Sequence, residues 1–454
     1  MNAYVVVDLG FGDSGKGLLT DFLVRQFGAR VVVRYNGGAQ AGHHVVTPDG
    51  RHHTFAQFGS GTFIPGVQTY LSRHVVIHPA ALLAEGDILE QRGVRDVFSR
   101  IRVSDRALVI TPFHQAANRI REIWRGSDRH GSCGVGVGET VEDSLLHAED
   151  SVLAGDLNHP AILRQKMRSI RDQKREQLVA LCGENPTDPQ LTWEWQVFER
   201  EDLIDTWIAS ITRISKLDLV VPDSVLEGWL CETESVIFEG AQGVLLDADA
   251  GFHPYTTWSR CTTANALDLI AEMAPDSRIS SIGVIRSYAV RHGPGPFPTE
   301  TDVLTSLISE HNKYSEWQGP VRYGWFDKVL AQYALDRTGG VDAFALTHID
   351  LLQHLETWKY CTGYKNYNDL NGLLVDMNIS DGVLGSLHVP RFLSLDQRAH
   401  LTQALSTVVP LLETCEVEEK SVIRKIESLI GHSVDIISRG PSTENVQILN
   451  SFPA

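Results

Sequence analysis

The sequence predicts an α/β fold: one large, mainly parallel central sheet covered by helices, with a P-loop-like glycine loop after the first strand. Three observations carry this expectation. Short apolar runs of strand length recur along the 454 residues, and most of them end in a glycine-rich or polar segment. Stretches of helical spacing separate those runs, the alternation from which parallel sheets are built. The first run, Tyr4–Val7, leads into Asp8-Leu-Gly-Phe-Gly-Asp-Ser-Gly-Lys-Gly17, after which Leu18, Leu19, Phe22 and Leu23 fall at helical spacing. Strand, glycine loop and helix is the layout in which loop amides and a helix N-terminus cradle phosphate.

From Gly10 the loop reads G-x-x-x-x-G-K and fits a nucleotide-binding P-loop as far as Lys16. The next residue is Gly17, where a P-loop has the Ser or Thr that holds magnesium, so Asp13 is the expected metal ligand. A strand over Arg30–Tyr35 runs into a second glycine segment, Asn36-Gly-Gly-Ala-Gln-Ala-Gly-His-His44. Parallel strands joined by a helix put both loops on the carboxyl edge of the sheet, where ligands of open α/β sheets bind. Strands are expected near Val75–Ile77 and Ala107–Ile110, with helices opened by Pro79 and running from Pro112 to Trp124. Gly131-Ser-Cys-Gly-Val-Gly-Val-Gly138 is too glycine-rich for a helix or central strand and reads as a binding or dimer-contact loop. Further strands are expected at Ser235–Phe238, Ile279–Arg291, Ala343–Thr347 and Val434–Ser438, each entering a polar or proline-rich segment. No repeat, low-complexity tract or linker interrupts residues 1–454, so a single domain is expected, with a helical excursion at about 160–218 broken near Gly183–Pro189.

Composition sets the outer limits. With 43% apolar and 21% charged residues the chain has ample material for a core. A formal net charge of −17 argues against nucleic acid or an anionic membrane as partner. The six cysteines form no C-x-x-C pair and no zinc spacing, which suits a reducing compartment. The first strand starts without a charged leader or apolar signal core, and no apolar run reaches membrane-spanning length, so a cytoplasmic protein is expected.

Polar residues at the strand ends, among them Asp13, Lys16, Gln40, His43, Gln242, Thr299, Asp350 and Ser438, suggest one site along the sheet edge. Motifs in order from residue 4 to about 450 resemble those of the adenylosuccinate synthetase family. Gly12-Asp-Ser-Gly-Lys-Gly-Leu18 is similar to its G-D-E-G-K-G-K signature and Gly37-Gly-Ala-Gln-Ala-Gly-His43 to its G-G-H-N-A-G-H motif. Glu239-Gly-Ala-Gln-Gly243, Pro254-Tyr-Thr-Thr257, Gly295–Glu300, Gly324-Trp-Phe-Asp327, Thr347-His-Ile-Asp350 and Ile436–Pro441 follow.

The resemblance implies a GTP- and Mg2+-dependent ligase that phosphorylates the 6-oxo oxygen of IMP and lets the amine of aspartate displace the phosphate. It implies Asp13, His43 and Lys16 as catalytic residues: Asp13 takes the ring proton, His43 donates to the migrating phosphoryl group, and Lys16 holds it. GTP is expected on Gly12, Ser14, Gly15, Lys16, Gly17, Gly42, His348, Asp350, Ser438 and Gly440, and the metal on Asp13 and the Gly42 carbonyl. The purine nucleotide is expected on Gln40, Cys133, Gln242 and Thr257, and the amino donor on Arg322 and Thr299. A homodimer is expected from the same resemblance.

Departures from the family pattern leave Asp13, Lys16 and His43 themselves in place. Ser14, Leu18, Gln40 and His348 replace Glu, Lys, Asn and Lys, and Ser132-Cys133 replaces two threonines. Only His147 stands near the place of an arginine that the family presents to the neighbouring subunit. The aspartate loop, normally rich in arginine, reads Glu316-Trp-Gln-Gly-Pro-Val-Arg-Tyr-Gly-Trp-Phe-Asp327 and keeps Arg322 alone. Each charge-assisted bond lost there is worth about 1.5–3 kcal/mol. Two alternatives therefore stand beside the IMP- and aspartate-using ligase: a paralogue with another oxo-purine or amine, and a nucleotide-binding regulatory protein without turnover.

Overall fold

The computed structural model describes residues 1–451 apart from 185, 309–313, 371, 374–378 and 381. Ten strands form the central sheet. In chain order they are β1 (Asn2–Asp8), β2 (Val31–Arg34), β3 (Gln68–Leu71), β4 (Ile101–Ser104), β5 (Val220–Val221), β6 (Ser235–Glu239), β7 (Arg278–Arg286), β8 (Ala343–Thr347), β9 (Ile436–Ser438) and β10 (Val446–Ile448). Across the sheet they lie in the order β10-β9-β8-β7-β1-β6-β2-β3-β4-β5. All neighbours are parallel except β10, which closes the edge antiparallel to β9. β1 is central, with Val5 opposite Phe238 of β6 and Ser281 of β7.

The chain first builds outward from β1 through β2 to β5, then returns with β6 between β1 and β2 and continues on the other side from β7. Such a reversal of strand order opens a crevice at the carboxyl ends. Here those ends are Asp8, Arg34, Glu239, Arg286, Thr347 and Ser438.

Both faces of the sheet are covered, which is why its central strands read as unbroken apolar runs. Tyr4 and Val6 face a layer with Leu19, Leu23 and Val24 of helix α1 (Lys16–Phe27). Ala3 and Val5, pointing the other way, pack with Leu226 and Leu230 and with Leu269 and Ile270 from helices Ser224–Glu232 and Ala264–Met273. Helices Pro160–Cys182, Pro189–Glu199 and Leu203–Lys216 occupy the stretch expected to be helical and share a core with β3, β4 and helix Pro112–Arg125. A five-stranded sheet around Trp358–Lys365 and Val409–Cys415 packs with helix Lys328–Thr338 in a core that also takes in Val7, Phe344 and Leu346 of the central sheet. No described helix is long and apolar enough to cross a membrane.

Three expectations are corrected. The runs near Val75–Ile77 and Ala107–Ile110 form a small parallel pair outside the large sheet, Val76–Ile77 with Leu108–Val109. Their places in the large sheet belong to β3 and β4. The run Ile279–Arg291 breaks after Arg286, and Ala289–Arg291 forms a separate antiparallel pair with Arg322–Gly324, Arg291 opposite Arg322. The third glycine segment is not wholly a loop, because a helix, Val137–Leu146, begins inside it with Gly136 at φ 98.

Candidate active site

β1 ends in Asp8, whose buried carboxylate is the anchor of the glycine loop. It accepts from the Gly10 amide at 2.9 Å, the Ser14 amide at 3.1 Å, the Ser14 hydroxyl at 2.9 Å and Lys16 Nζ at 2.7 Å. The sequence reading missed Asp8, although an acid at the end of an otherwise apolar strand was a signal for it. Lys16, expected on phosphate, pairs here with Asp8, both nearly inaccessible. The loop then turns through Gly12 at φ 96, Asp13 at φ 55 and Gly15 at φ 91 into α1, whose N-terminus has no side-chain cap. Uncapped amides at a helix start attract an anion.

Gly17 has a steric reason. A Cβ there would lie 3.0 Å from the carbonyl carbon and Cβ of His43 and 3.0 Å from the His44 oxygen. The first turn of α1 is thus packed directly against the strand that carries His43, with no room for a metal-binding hydroxyl.

Asp13 is held twice. Its backbone carbonyl accepts from Arg286 Nε at 2.5 Å, and its Oδ2 lies 2.6 Å from His292 Nε2. Burial raises the carboxyl pKa, but the hydrogen bond and charge of His292, with Arg286 and Lys16, outweigh it and hold the group well below the usual carboxylate range. His43 Nδ1 lies 2.6 Å from Glu239 Oε1. Glu239, with no exposed side-chain surface, also accepts from the Ser60 amide at 3.0 Å and from the Ser60 hydroxyl. Burial, and then the charges of Arg34 and Lys16, push His43 below its ordinary pKa against the opposing pull of Glu239. Asp13 and Lys16 lie on one loop, and the next residue, Gly17, packs on His43, which brings the three groups to the same end of the sheet. Neither Glu239 nor His292 was singled out as a partner from sequence, because their contacts span 196 and 279 residues.

Toward β8 and β9, Thr347 donates to the Ser14 carbonyl at 2.8 Å, and His348, at φ 57, places Nδ1 2.9 Å from the Thr347 hydroxyl. Burial and the neighbouring Arg286 push the His348 pKa well down, so its imidazole is neutral. Asp350 follows in a short turn, and burial raises its carboxyl pKa. Ser438 donates to the Gly440 carbonyl at 2.9 Å. A Cβ on Gly15 would lie 3.6 Å from Thr347 and 3.7 Å from His348, which joins this end to the glycine loop.

On the other side, Gln242 adopts φ 55 and reaches the Gly37 turn. Gln40 folds back on Gly38. Gly243 approaches the glycine loop so closely that a Cβ would fall 2.2 Å from the Gly10 oxygen. Thr257 is positioned by its amide bond to the Leu246 carbonyl at 2.8 Å. Burial pushes the Cys133 thiol up. The segment around it is covered: a side chain at Gly131 would overlap Pro294, one at Gly134 would meet Trp317, and one at Gly138 would meet Trp258. Arg119 lies over the Trp317 ring at 5.6 Å and donates to the Gly134 carbonyl.

The two residues expected for the amino donor have internal partners. Arg322 donates to Glu300 at 2.9 Å and to the Gly295 carbonyl at 2.9 Å, above the Phe297 ring, and the Thr299 hydroxyl donates to the Trp325 carbonyl at 2.8 Å. Arg322 Nη1 and Nη2 are thus engaged, while its Nε is buried without a hydrogen-bond partner among the described residues.

A parallel sheet with a glycine loop at its central strand, an uncapped helix start, a clamped Asp and a carboxylate-bound His defines a phosphate-handling nucleotide enzyme. A model of the adenylosuccinate synthetase family matches residues 5–447. The adenylosuccinate synthetase of Ectopseudomonas mendocina is 34% identical over 450 residues, 98% of each chain. That of Caldanaerobacter subterraneus subsp. tengcongensis is 31% identical over 456 residues, 100% of each chain. Of solved structures, the fully ligated adenylosuccinate synthetase of Plasmodium falciparum superposes with a TM-score of 0.77 at 22% identity, covering 99% of this chain and 100% of that one. The succinoaminodeoxyadenylate synthetase of cyanophage S-2L gives 0.58 at 20%, covering 99% and 96%. The chain belongs to the adenylosuccinate synthetase family, whose members are GTP-hydrolysing C–N ligases.

Proposed function

We propose that this chain couples GTP hydrolysis to formation of adenylosuccinate from IMP and aspartate, releasing GDP and phosphate. The observation that carries the reading is the pairing of Asp13 with His292 and of His43 with Glu239 beside one glycine loop. The Asp13 carboxylate accepts the ring proton of the purine, which makes its 6-oxo oxygen the nucleophile toward the γ-phosphorus of GTP. As the imidazolium that the Glu239 carboxylate favours, His43 is oriented through Nδ1 and donates from Nε2 to the phosphoryl oxygens as charge gathers there. Lys16 exchanges Asp8 for phosphate when the nucleotide enters, and Asp8 keeps its other three donors. The amine of aspartate then attacks the carbon bearing the new phosphate, which leaves with its bonding pair. The guanine lies by Asp350, which accepts from its ring N–H and exocyclic amine, with Ser438 and Gly440 completing the pocket.

Mg2+ fits the donors present. Among the described residues no cluster of three or more His, Cys, Asp or Glu is arranged to hold a metal. Asp13 and the Gly42 carbonyl supply hard oxygens, and Mg2+ takes one or two such ligands when phosphates provide the rest. When bound, it neutralises charge on the transferred phosphoryl group.

The occupied hydrogen bonds of Arg322 and the tryptophans packed on the 131–138 segment favour a second reading, a changed purine acceptor or amino donor. The cyanophage protein was solved with dGMP and with dATP as energy donor. A mass-spectrometric screen of purine nucleotides against amino acids, with GTP and ATP, decides between them. Adenylosuccinate from IMP, aspartate and GTP supports the first reading, and another condensation product supports the second. No product from any combination would leave a nucleotide-binding protein without turnover.

A further inference from the structure

We propose that His292 is a positioning residue for Asp13: through Nε2 it pins one carboxylate oxygen so that the other is presented to the purine acceptor. The inference rests on the ligase reading above and adds to it a residue outside the loops that hold nucleotide.

A carboxylate only accepts, so the imidazole donates, across 2.6 Å. Asp13 is a non-glycine residue at φ 55 inside a loop of glycines, a conformation that persists only when its surroundings hold it. Arg286 holds its backbone carbonyl. That contact leaves the carboxylate free to turn, because the terminal torsion of an Asp side chain is broad. His292 is the second anchor and removes this freedom, while a third of the Asp13 side chain stays exposed for a ligand.

His292 is itself well placed to be rigid. Arg291, buried before it, donates to the carbonyls of Pro294 and Pro296, both at 3.0 Å, and so folds residues 292–296 into a tight strap. Pro294 then packs on Gly131, and the Gly295 carbonyl accepts from Arg322. The imidazole therefore reaches Asp13 from a strap braced between the 131–138 segment and the strand that carries Arg322. A base displaced by about an ångström loses rate without losing substrate affinity.

The test compares His292→Leu with His292→Gln, whose amide nitrogen can donate from nearly the same place. With GTP, IMP and aspartate, His292→Leu is expected to lower kcat about 10²-fold while the KM for GTP moves by less than about threefold, and His292→Gln to recover to within about tenfold of wild type. A readout independent of turnover is the thermal unfolding midpoint of His292→Leu, Asp13→Ala and the double variant. If the pair is real, His292→Leu shifts the midpoint less in the Asp13→Ala background than in the wild type. Equal kcat in the Leu and Gln variants, or equal midpoint shifts in both backgrounds, overturns the proposal. A wild type without turnover but with unequal midpoint shifts rejects the ligase reading and leaves His292 still holding Asp13.

Discussion

Glu239→Gln probes the reaction centre with the least change of shape. The carboxylate lies 2.6 Å from His43 Nδ1 at the end of β6 and is wholly buried. An amide of the same size still accepts from the Ser60 amide, so the packing of this strand end has no reason to fail. What disappears is the negative charge. Burial, Arg34 and Lys16 already push His43 below its ordinary pKa, and Glu239 opposes them. Once the carboxylate is an amide that opposition is gone, and the imidazole stays neutral over a wider range of acidic pH. A hydrogen bond to a charged group is worth about 1.5–3 kcal/mol, which converts to a loss of about 10- to 150-fold in rate. The loss belongs in kcat, since His43 acts on charge that develops during transfer. The assay is phosphate release with GTP, IMP and aspartate across acidic to neutral pH, with the thermal midpoint as a control on folding. In the variant, the protonated limb of the profile should retreat to lower pH. A folded Glu239→Gln protein with more than a tenth of the wild-type kcat would refute the assignment of Glu239 to His43.

Three further outcomes are expected. Gly17→Ser should not create a magnesium ligand but press on His43, since a Cβ meets that residue at 3.0 Å; kcat should fall at least about tenfold, and a rate equal to wild type would contradict the packing argument. Asp350→Asn replaces one of two acceptors by a donor and should cut the preference for GTP over ATP by at least about tenfold, measured as the ratio of kcat/KM values. Asp327, the buried N-cap of helix Lys328–Thr338, is pushed by burial from 3.8 up to about 6, so the fold favours its neutral form. Its stabilising contribution is complete below about 3.8 and lost as pH rises through about 6. Asp327→Asn removes this loss, and urea unfolding should show the variant gaining by up to about 3 kcal/mol on the wild type between about pH 4 and about pH 8. A difference that does not change with pH would show that Asp327 is ionised throughout.

By itself the sequence determined the α/β class, the strands β1, β2, β6, β8 and β9, and the loops that leave them. Those strands are buried on both faces, so burial alone writes them as apolar runs. The glycines of the first loop answer to a local demand, a positive φ at Gly12 and Gly15, whereas the close approach of Gly17 to His43 is set by the fold. β3 and β4 escaped because polar residues interrupt their apolar runs and find partners off the strand: Thr69 accepts from the Gly59 amide, and Ser104 donates to Asp223. The partners of the reacting groups escaped for the same reason. Glu239 behind His43 and His292 on Asp13 lie on different strands or loops, and only the order in which the strands assemble brings them together. Tertiary structure likewise decided that Arg322 and Thr299 spend their hydrogen bonds on neighbouring loops. A residue type shows what a side chain can do. Which partner it meets depends on chain folded from elsewhere, and a hydrogen bond across hundreds of residues leaves no periodicity or spacing in the sequence.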